Sequence, residues 1–472
     1  MADGTGEKDV TSPKTRRVGL ITLVVLVGTS LSVFAHYING AYLGLSYPMT
    51  SFLFLPSDRF MDLLNTFRDI RMFDAVRGGV ALAYTPLQHV VLSVGVQLAD
   101  LLGAGAALLW ITMAAFVALL LFFLIRFFAE RGAGVVVNAQ RVFILSALSY
   151  PVIWVLDRAN TEMFVFAAVF GFVFFYYIKP KRWLWITFLV VAICLKIYPG
   201  VLVLIPLSDR RFRESAYTLV CVVAAMVASA WLLGLQSQYG FMGVVQLWSS
   251  YLFNGQGGSF SIWWAGIQHG HSIWGAAYLT DVLVGRPFEL DVLQKIYVGF
   301  AAVAAVCGAA WMFFGRLKPW QKLTIATFMY MLLPFSSHDY TLLHVYFPLA
   351  LFVATEEVQR FDRTLTVLFA LLLVPLDYYY FMQNAASWPA ELGNNVGWMM
   401  GISVLVYPLI MLVILALIAR QTGTPREDSG GRSLPRNRPP ENHRPRTTHR
   451  PPAHHSAHTA RHPAHSERAE EQ

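Results

Sequence analysis

Long runs of apolar residues constrain the fold of this chain more than any other feature. The runs that are nearly free of charge are residues 20–35, 107–128, 163–178, 217–235, 298–314, 342–353 and 401–419. An apolar helix of about 18 or more residues is long enough to cross the hydrocarbon core of a bilayer. The chain is 56% hydrophobic and 14% charged, whereas a typical soluble domain is about 25% charged. The sequence therefore predicts an all-α polytopic membrane protein.

Other sequence features exclude several protein classes. The first apolar run lacks a small-residue cleavage site, so we interpret it as the first span and not as a signal peptide. The net charge of +8 comes from short basic clusters between apolar runs and from the tail, so no nucleic-acid partner is expected. Cys194, Cys221 and Cys307 lie inside apolar segments and have neither disulfide-framework nor metal-ligand spacing.

The basic clusters predict the orientation, because Lys and Arg in short loops mark the cytoplasmic side. If all clusters face the cytoplasm, the chain has about ten spans and both termini are cytoplasmic. We expect the protein to lie in the plasma membrane. The predicted spans are 18–37, 104–128, 138–156, 162–178, 215–235, 291–314, 321–336, 341–357, 364–380 and 397–419.

The same pattern predicts the domain organisation. A cytoplasmic N-terminus (1–17) precedes a transmembrane domain (18–420), which contains a first outer loop (37–103) and a second large outer loop (236–290). Residues 421–472 are rich in Pro, His, Arg and Ser and have almost no large apolar residue, so a disordered cytoplasmic tail is expected.

Two segments depart from simple crossings. Residues 183–207 lie between basic clusters, and Pro199 and Gly200 interrupt them. We predict a broken re-entrant helix pair there, since broken helices at membrane depth line cavities. Residues 85–103 are predicted to lie in the outer interface, as are the first-loop residues around Asp62.

Polar residues gather on the predicted outer face, where ionisable groups are usually functional. Asp58 and Asp62 are four residues apart, so they would share one face of a helix. A carboxylate at the lipid–water boundary is placed to accept a proton from a sugar hydroxyl. The alternative is the solvated face of an interfacial helix.

A denser cluster separates two apolar runs. It consists of Asp157, Arg158, Asn160 and Glu162. Its Arg can bind phosphate in a bidentate manner, or the cluster can form a helix-end salt bridge with Asn160 as the cap. Lys196 lies in the middle of the broken segment. It could bind phosphate as a point charge, or its side chain could extend to the membrane surface. We favour phosphate binding, because Lys196 is far from both ends of its segment.

Histidines supply the remaining candidates. In the segment His338-Asp339, the carboxylate could orient the imidazole, or the two residues could cap a loop. His269 and His271 do not share a helix face and have no carboxylate-rich partner motif, so no metal site is predicted.

At these residues the sequence resembles the family-87 glycosyltransferases of the GT-C superfamily, which include actinobacterial polyprenol-phosphate-mannose-dependent mannosyltransferases. The resemblance covers about residues 18–420. Its motifs are Arg59–Leu63, Tyr84–Leu87, Asp157–Glu162, Leu195–Pro199, Asp209–Arg211 and His338–Tyr340.

The resemblance implies a GT-C-like fold and an inverting transfer that needs no metal or other cofactor. It implies that Asp62, or alternatively Asp58, is the general base. The donor would be a polyprenyl-phosphate hexose, with mannose as the family default and arabinofuranose as an alternative. The acceptor would be a lipid or glycan hydroxyl on the extracytoplasmic face. The charged stretch from Arg68 to Arg77 departs from the usual Gly-rich loop of the family, which leaves the acceptor open.

Within this scheme the other candidate residues receive binding roles. Arg158, Lys196 and His338 are expected to bind the donor phosphate. The expected acceptor or sugar contacts are Asp157, Asn160, Glu162, Tyr198, Asp339 and His271. A polytopic transporter or a flippase of a lipid-linked saccharide is the alternative, because transporters also contain broken helices and mid-membrane charges. No internal repeat is found between the two halves of the chain, which favours the transferase.

Overall fold

The computed structural model describes residues 12–47, 49–53, 59–72, 85–130, 133–237, 239–254, 270–285, 289–335, 337–377, 380–382 and 399–423. Asp58 and residues 424–472 of the predicted tail lie outside the described residues, whereas residues 421–423 of that tail belong to the last helix.

The described chain is predominantly helical. In chain order the helices are α1 (Pro13–Ala41), α2 (Met61–Met72), α3 (Pro86–Leu101), α4 (Gly105–Phe128), α5 (Val135–Ala147), α6 (Tyr150–Arg158), α7 (Glu162–Val173), α8 (Arg182–Leu195), α9 (Leu204–Ser208), α10 (Phe212–Gln236), α11 (Gly240–Asn254), α12 (Ile273–Leu283), α13 (Leu290–Phe314), α14 (Pro319–Leu332), α15 (Tyr346–Ala354), α16 (Asp362–Leu371) and α17 (Ser403–Gly423). A π-helical turn (Phe174–Ile178) follows α7, and 3₁₀ helices occupy Tyr198–Val203 and Asp339–Val345. Strands β1 (Tyr380–Met382) and β2 (Met399–Gly401) form one antiparallel pair, with Tyr380 opposite Gly401.

Five helices in the described ranges are long and apolar enough to cross a membrane. They are Pro13–Ala41, Gly105–Phe128, Phe212–Leu235, Val292–Phe314 and Ser403–Thr422. The pair α5 and α6, bent by 53° at its break, becomes a sixth if it is counted as one span. These helices confirm the prediction of an all-α polytopic membrane protein. The count of about ten spans and the orientation stay predictions.

The break between α5 and α6 places Tyr150 inside the protein. The helix α5 ends at Ala147, and Pro151 lies in the first turn of α6, where a missing backbone N–H costs nothing. The helix α6 ends at Arg158, and the capping residue Ala159 has a φ of +48°. A left-handed residue at this position reverses the chain sharply, so Asn160 and Glu162 follow directly after Arg158 at one turn.

The break predicted in residues 183–207 lies at Lys196, which has extended backbone after the end of α8. The Thr85 hydroxyl at the start of α3 donates to the carbonyls of Cys194 and of Leu195, the latter at 3.0 Å. The last carbonyl groups of a helix have no hydrogen-bond donor within the helix. Thr85 supplies a donor to these two carbonyls at the end of α8. The return of this segment to the same side of the membrane stays a prediction.

An aromatic core holds the site region in place. The Phe166 ring of α7 stacks on Phe347 of α15 with centroids 4.8 Å apart, and Phe123 of α4 packs edge-on against both. Gly171 lets α7 approach α8 closely, since an added Cβ would lie 2.4 Å from the Phe188 ring. The C-terminal half of α7 therefore packs closely against α8.

Candidate active site

The turn between α6 and α7 is the centre of the candidate site. Asn160 performs two tasks there: its Oδ1 accepts from the Glu162 backbone N–H at 2.9 Å, and its Nδ2 donates to Asp62 Oδ2 at 2.6 Å. Asn160 can therefore cap α7 through its amide oxygen and still contact Asp62 through its amide nitrogen.

Asp62 lies in the first turn of α2 and reaches this turn from a distant part of the sequence. Its Oδ1 accepts from Arg158 Nε at 3.0 Å and also from Nη2 of the same guanidinium. The entry to α2 is anchored by the Phe60 N–H, which donates to the Asp157 carbonyl at 2.7 Å. The Asp157 carboxylate lies 3.7 Å from Arg59 Nε. Asp157 thus places the helix that carries Asp62.

Lys196 lies on the other side of Asn160. Its Nζ is 2.7 Å from Glu162 Oε2 and 3.4 Å from Asn160 Oδ1. The same ammonium lies 4.9 Å from the centroid of the Tyr340 ring, a distance at which a cation is attracted to the ring face. An otherwise costly cation between apolar helices is therefore compensated on three sides.

Glu162 is fully buried and shares its two oxygens among several donors. The Tyr198 hydroxyl donates to Oε1, and His344 Nε2 lies 3.1 Å from the same atom, although without the alignment of a hydrogen bond. The Tyr330 hydroxyl lies 2.8 Å from His344 Nδ1. The Glu162 carboxylate therefore links Lys196 to the side chains of Tyr198, His344 and Tyr330.

His338 lies within electrostatic reach of both halves of this network. Burial lowers the pKa of His338 to about 4; Asp62 acts in the opposite direction, whereas Lys196 and Arg158 lower the pKa further. Its ring packs against Tyr340 with centroids 5.2 Å apart. The imidazole is therefore neutral near pH 7, which suits a hydrogen-bonding role more than a fixed positive charge.

A second buried cluster lies next to His338 along the chain. The Tyr150 hydroxyl is 2.6 Å from Asp339 Oδ2 and 2.9 Å from Asp377 Oδ2. The Ser403 hydroxyl donates to Asp377 Oδ1. One hydroxyl is thus shared by two carboxylates, and a proton on either acid would give both contacts a donor.

His271 completes the second cluster. Its Nδ1 lies 3.4 Å from Asp339 Oδ1, and its Nε2 lies 2.9 Å from Ser337 Oγ and 3.0 Å from Thr341 Oγ1. The imidazole is fully buried, and burial lowers the pKa of His271 to about 3. Within the described ranges, no three His, Cys, Asp or Glu side chains are arranged to hold a metal ion.

The structure thus brings most of the predicted site residues together. The continuous network contains Asp62, Arg158, Asn160, Glu162, Lys196 and Tyr198. His338 lies beside it, Asp339 and His271 belong to the second cluster, and Asp157 supports α2. The predicted face shared by Asp58 and Asp62 falls outside the described residues, since the described helix begins at Met61.

Several residues of these clusters were not singled out from the sequence. They are Tyr150, Ser337, Tyr330, Thr341, His344, Asp377 and Ser403. His344 and Asp377 carried a usable signal, because each is an isolated ionisable residue inside an apolar stretch. The hydroxyl residues carried none, since Ser, Thr and Tyr are common in membrane helices.

One comparison with known proteins identifies a family for this chain. The sequence model of glycosyltransferase family 87 matches residues 79–336, which is more than half of the chain. A search of curated proteins and a search of solved structures found no match. The matched stretch contains Arg158, Glu162 and Lys196, and Asp62 precedes it. The chain is a membrane protein that belongs to glycosyltransferase family 87.

Proposed function

We propose that this glycosyltransferase moves a hexose, with mannose as the expected sugar, from a polyprenyl-phosphate donor to a hydroxyl of a lipid or glycan acceptor. The transfer takes place with inversion on the extracytoplasmic face of the plasma membrane. Family membership supports sugar transfer by a membrane enzyme. The donor and the sugar rest on the resemblance to polyprenol-phosphate-mannose-dependent enzymes, and the face rests on the pattern of basic clusters.

The observation that carries the mechanism is the contact of Asp62 with Arg158 and Asn160. Asp62 is a partly exposed carboxylate at the start of a short helix, and a positive side chain is bonded to it. We assign it the role of general base, which takes the proton of the acceptor hydroxyl. The acceptor oxygen then attacks the anomeric carbon, and the polyprenyl phosphate leaves.

The leaving phosphate needs positive charge close to it. Arg158 and Lys196 are both partly exposed and lie on either side of Asn160. We assign them to the donor phosphate, because charge held in a partly desolvated site stabilises a developing anion strongly. His338 lies next to them and contributes a hydrogen bond from a neutral ring. The transfer as proposed uses only these side chains and no cofactor.

The burial of three other candidates favours positioning over direct contact with the sugar. Glu162, Asp339 and His271 have no exposed side-chain surface, and each is bonded to other protein groups. We propose that Glu162 orients Lys196, and that Asp339 and His271 hold the segment that carries His338. Asn160 is also buried and bonded at both ends of its amide, so we assign it a positioning role as well. Tyr198, which is only partly buried, stays the proposed polar contact for the sugar or the acceptor.

The test is a transfer assay with purified enzyme in membranes, radiolabelled polyprenyl-phosphate mannose and a native lipid extract. Wild type is compared with Asp62→Asn and Asp58→Asn, and Asp100→Asn is the control because Asp100 is an exposed carboxylate at the end of α3. We expect Asp62→Asn to lower the rate by about 100-fold or more, whereas the Asp100 variant keeps it.

Two results would count against the proposal. If Asp62→Asn transfers sugar at the wild-type rate, then Asp62 is not the base. If wild type moves no label from polyprenyl-phosphate mannose or polyprenyl-phosphate arabinose, then the proposed donor class is wrong.

A further inference from the structure

The ion pair between Asp62 and Arg158 joins two side chains that have opposite tasks in the proposed reaction. The guanidinium contacts Asp62 Oδ1 through both Nε, at 3.0 Å, and Nη2. The two side chains are 17% and 14% exposed, so neither is sealed away from a substrate. In this structure the proposed base and the proposed phosphate ligand therefore neutralise each other.

The charges of the reaction change on these same two groups. The donor phosphodiester carries one negative charge. When the bond between the anomeric carbon and the phosphate oxygen breaks, its electron pair stays on the phosphate, which becomes a monoester with a second negative charge. The acceptor hydroxyl proton moves to Asp62, which becomes neutral, and the acceptor oxygen bonds to the anomeric carbon. Arg158 thus loses its counter-ion as the phosphate gains charge.

We propose that Arg158 is exchanged between Asp62 and the leaving phosphate, so that protonation of the base and stabilisation of the leaving group are one coupled step. This inference rests on the proposed function. A guanidinium suits the exchange because its planar fork offers several donors to carboxylate or phosphate oxygens. Asn160 Nδ2 donates to Asp62 Oδ2 at 2.6 Å and keeps the carboxylate in place while Arg158 moves.

Lys196 has a different environment, which makes Arg158 the exchanged cation. The Lys196 ammonium lies 2.7 Å from Glu162, a fully buried carboxylate that also accepts from Tyr198. Glu162 receives no proton in the proposed reaction, so its hold on Lys196 stays constant. Lys196 therefore supplies a steady charge, whereas a charged Asp62 competes with the phosphate for Arg158 until the carboxylate is neutralised.

The exchange has a measurable consequence, because Asp62 must compete with a bound phosphate for Arg158. Removal of the carboxylate should abolish transfer and at the same time tighten the binding of the phosphate product. A pair that merely stabilises the fold predicts the same or weaker binding, since its loss would only disorder the site.

The experiment measures the Kd of polyprenyl phosphate, without sugar, for the purified full chain in nanodiscs. The titration is done near pH 8, above the second pKa of a phosphate monoester at about 6. We expect Asp62→Asn and Asp62→Ala to bind about fivefold tighter than wild type. Arg158→Gln should bind about tenfold weaker, and the double variant Asp62→Asn with Arg158→Gln should bind as weakly as Arg158→Gln alone.

The chain offers a matched control in the pair Arg141 and Glu130. Their contact is 3.1 Å, and their side chains are 12% and 15% exposed. The Glu130 carboxylate also accepts from Ser12 at the start of α1, so this pair belongs to a different region. Arg141→Gln should leave both the Kd and the transfer rate unchanged.

The outcomes separate this inference from the proposed function. If both Asp62 variants stay folded, lose transfer and bind polyprenyl phosphate no tighter than wild type, the exchange is wrong while the transferase proposal stands. If wild type neither binds polyprenyl phosphate nor transfers sugar from it, the proposed function fails, and the exchange fails with it.

Discussion

Lys196 Nζ lies 2.7 Å from Glu162 Oε2, and this contact joins the break after α8 to the first residue of α7. The carboxylate is fully buried and the ammonium is largely so. The pair therefore fixes the geometry of the proposed phosphate site. Loss of either side chain would leave the charge of its partner buried without compensation.

Replacement of Glu162 tests this dependence. Glu162→Gln leaves Lys196 as an incompletely compensated charge, and removal of one partner of a buried ion pair costs about 3 kcal/mol or more. We expect a lower unfolding temperature and a raised donor KM. The double variant Glu162→Gln with Lys196→Met should recover part of the stability without recovering transfer. A double variant as unstable as the single one would show that the charge is not the cause.

A second prediction concerns Tyr150, whose hydroxyl contacts two buried carboxylates. Tyr150→Phe leaves Asp339 and Asp377 facing each other without their common partner, and an unsatisfied buried polar group costs about 1–3 kcal/mol. Tyr346→Phe is the control, because this buried hydroxyl donates to a single backbone carbonyl, that of Leu145, at 2.7 Å. Thermal unfolding should show the larger loss for the Tyr150 variant. Equal losses would refute a special role for the carboxylate pair.

His271 makes the folded protein sensitive to acid. Burial lowers its pKa to about 3 from the ordinary value of 6.5. Between these values the unfolded chain binds a proton that the folded chain does not, so stability falls as the pH drops from about 6.5 towards 3. Burial raises the pKa of the neighbouring Asp339 to about 7, which changes stability in the opposite direction, so the test compares the pH dependence of the unfolding temperature in wild type and in a His271 variant between pH 7 and pH 4. Relative to His271→Gln, wild type should lose stability towards pH 4, and identical slopes would exclude His271 as the cause.

The close approach of α7 and α8 depends on Gly171. A Cβ at this position would lie 2.4 Å from atoms of the Phe188 ring, and overpacking of this kind costs about 1–3 kcal/mol. Gly171→Ala should therefore lower the unfolding temperature. Gly299→Ala is the matched control, because Gly299 is also helical and nothing lies within 4 Å of its added Cβ. If both variants unfold at the same temperature, the α7–α8 contact is looser than described.

Sequence reasoning was most successful where a property depends on neighbouring residues. The long apolar helices coincide with the apolar runs, and the chain breaks at Lys196, in the segment that contains Pro199 and Gly200. The motifs around Arg158 and Lys196 led to the family that the comparison confirmed. Several shorter helices, such as α6 and α15, do not reach membrane-spanning length, so the number of spans could not be read from apolar runs alone.

The assignment of roles within the site was harder, because it depends on burial. Glu162 and Asp339 looked like possible sugar contacts because both are acids on the predicted outer face. The structure surrounds them with Tyr198, Tyr150 and other protein donors. A carboxylate whose oxygens already accept such bonds is better suited to hold its neighbours than to bind a substrate.

The break between α5 and α6, inside the predicted span 138–156, was not predicted. The sequence by itself determined that the chain enters a membrane, that the segment 183–207 is broken and which family the chain belongs to. These properties follow from local composition and spacing, since bilayer thickness sets helix length and Pro and Gly disrupt helices locally. Only the tertiary structure decided which carboxylate meets which cation. Asp62 and Arg158 are 96 residues apart, and Tyr150 and Asp377 are 227 apart. No local pattern encodes such pairs, because they form only when packing brings distant helices together.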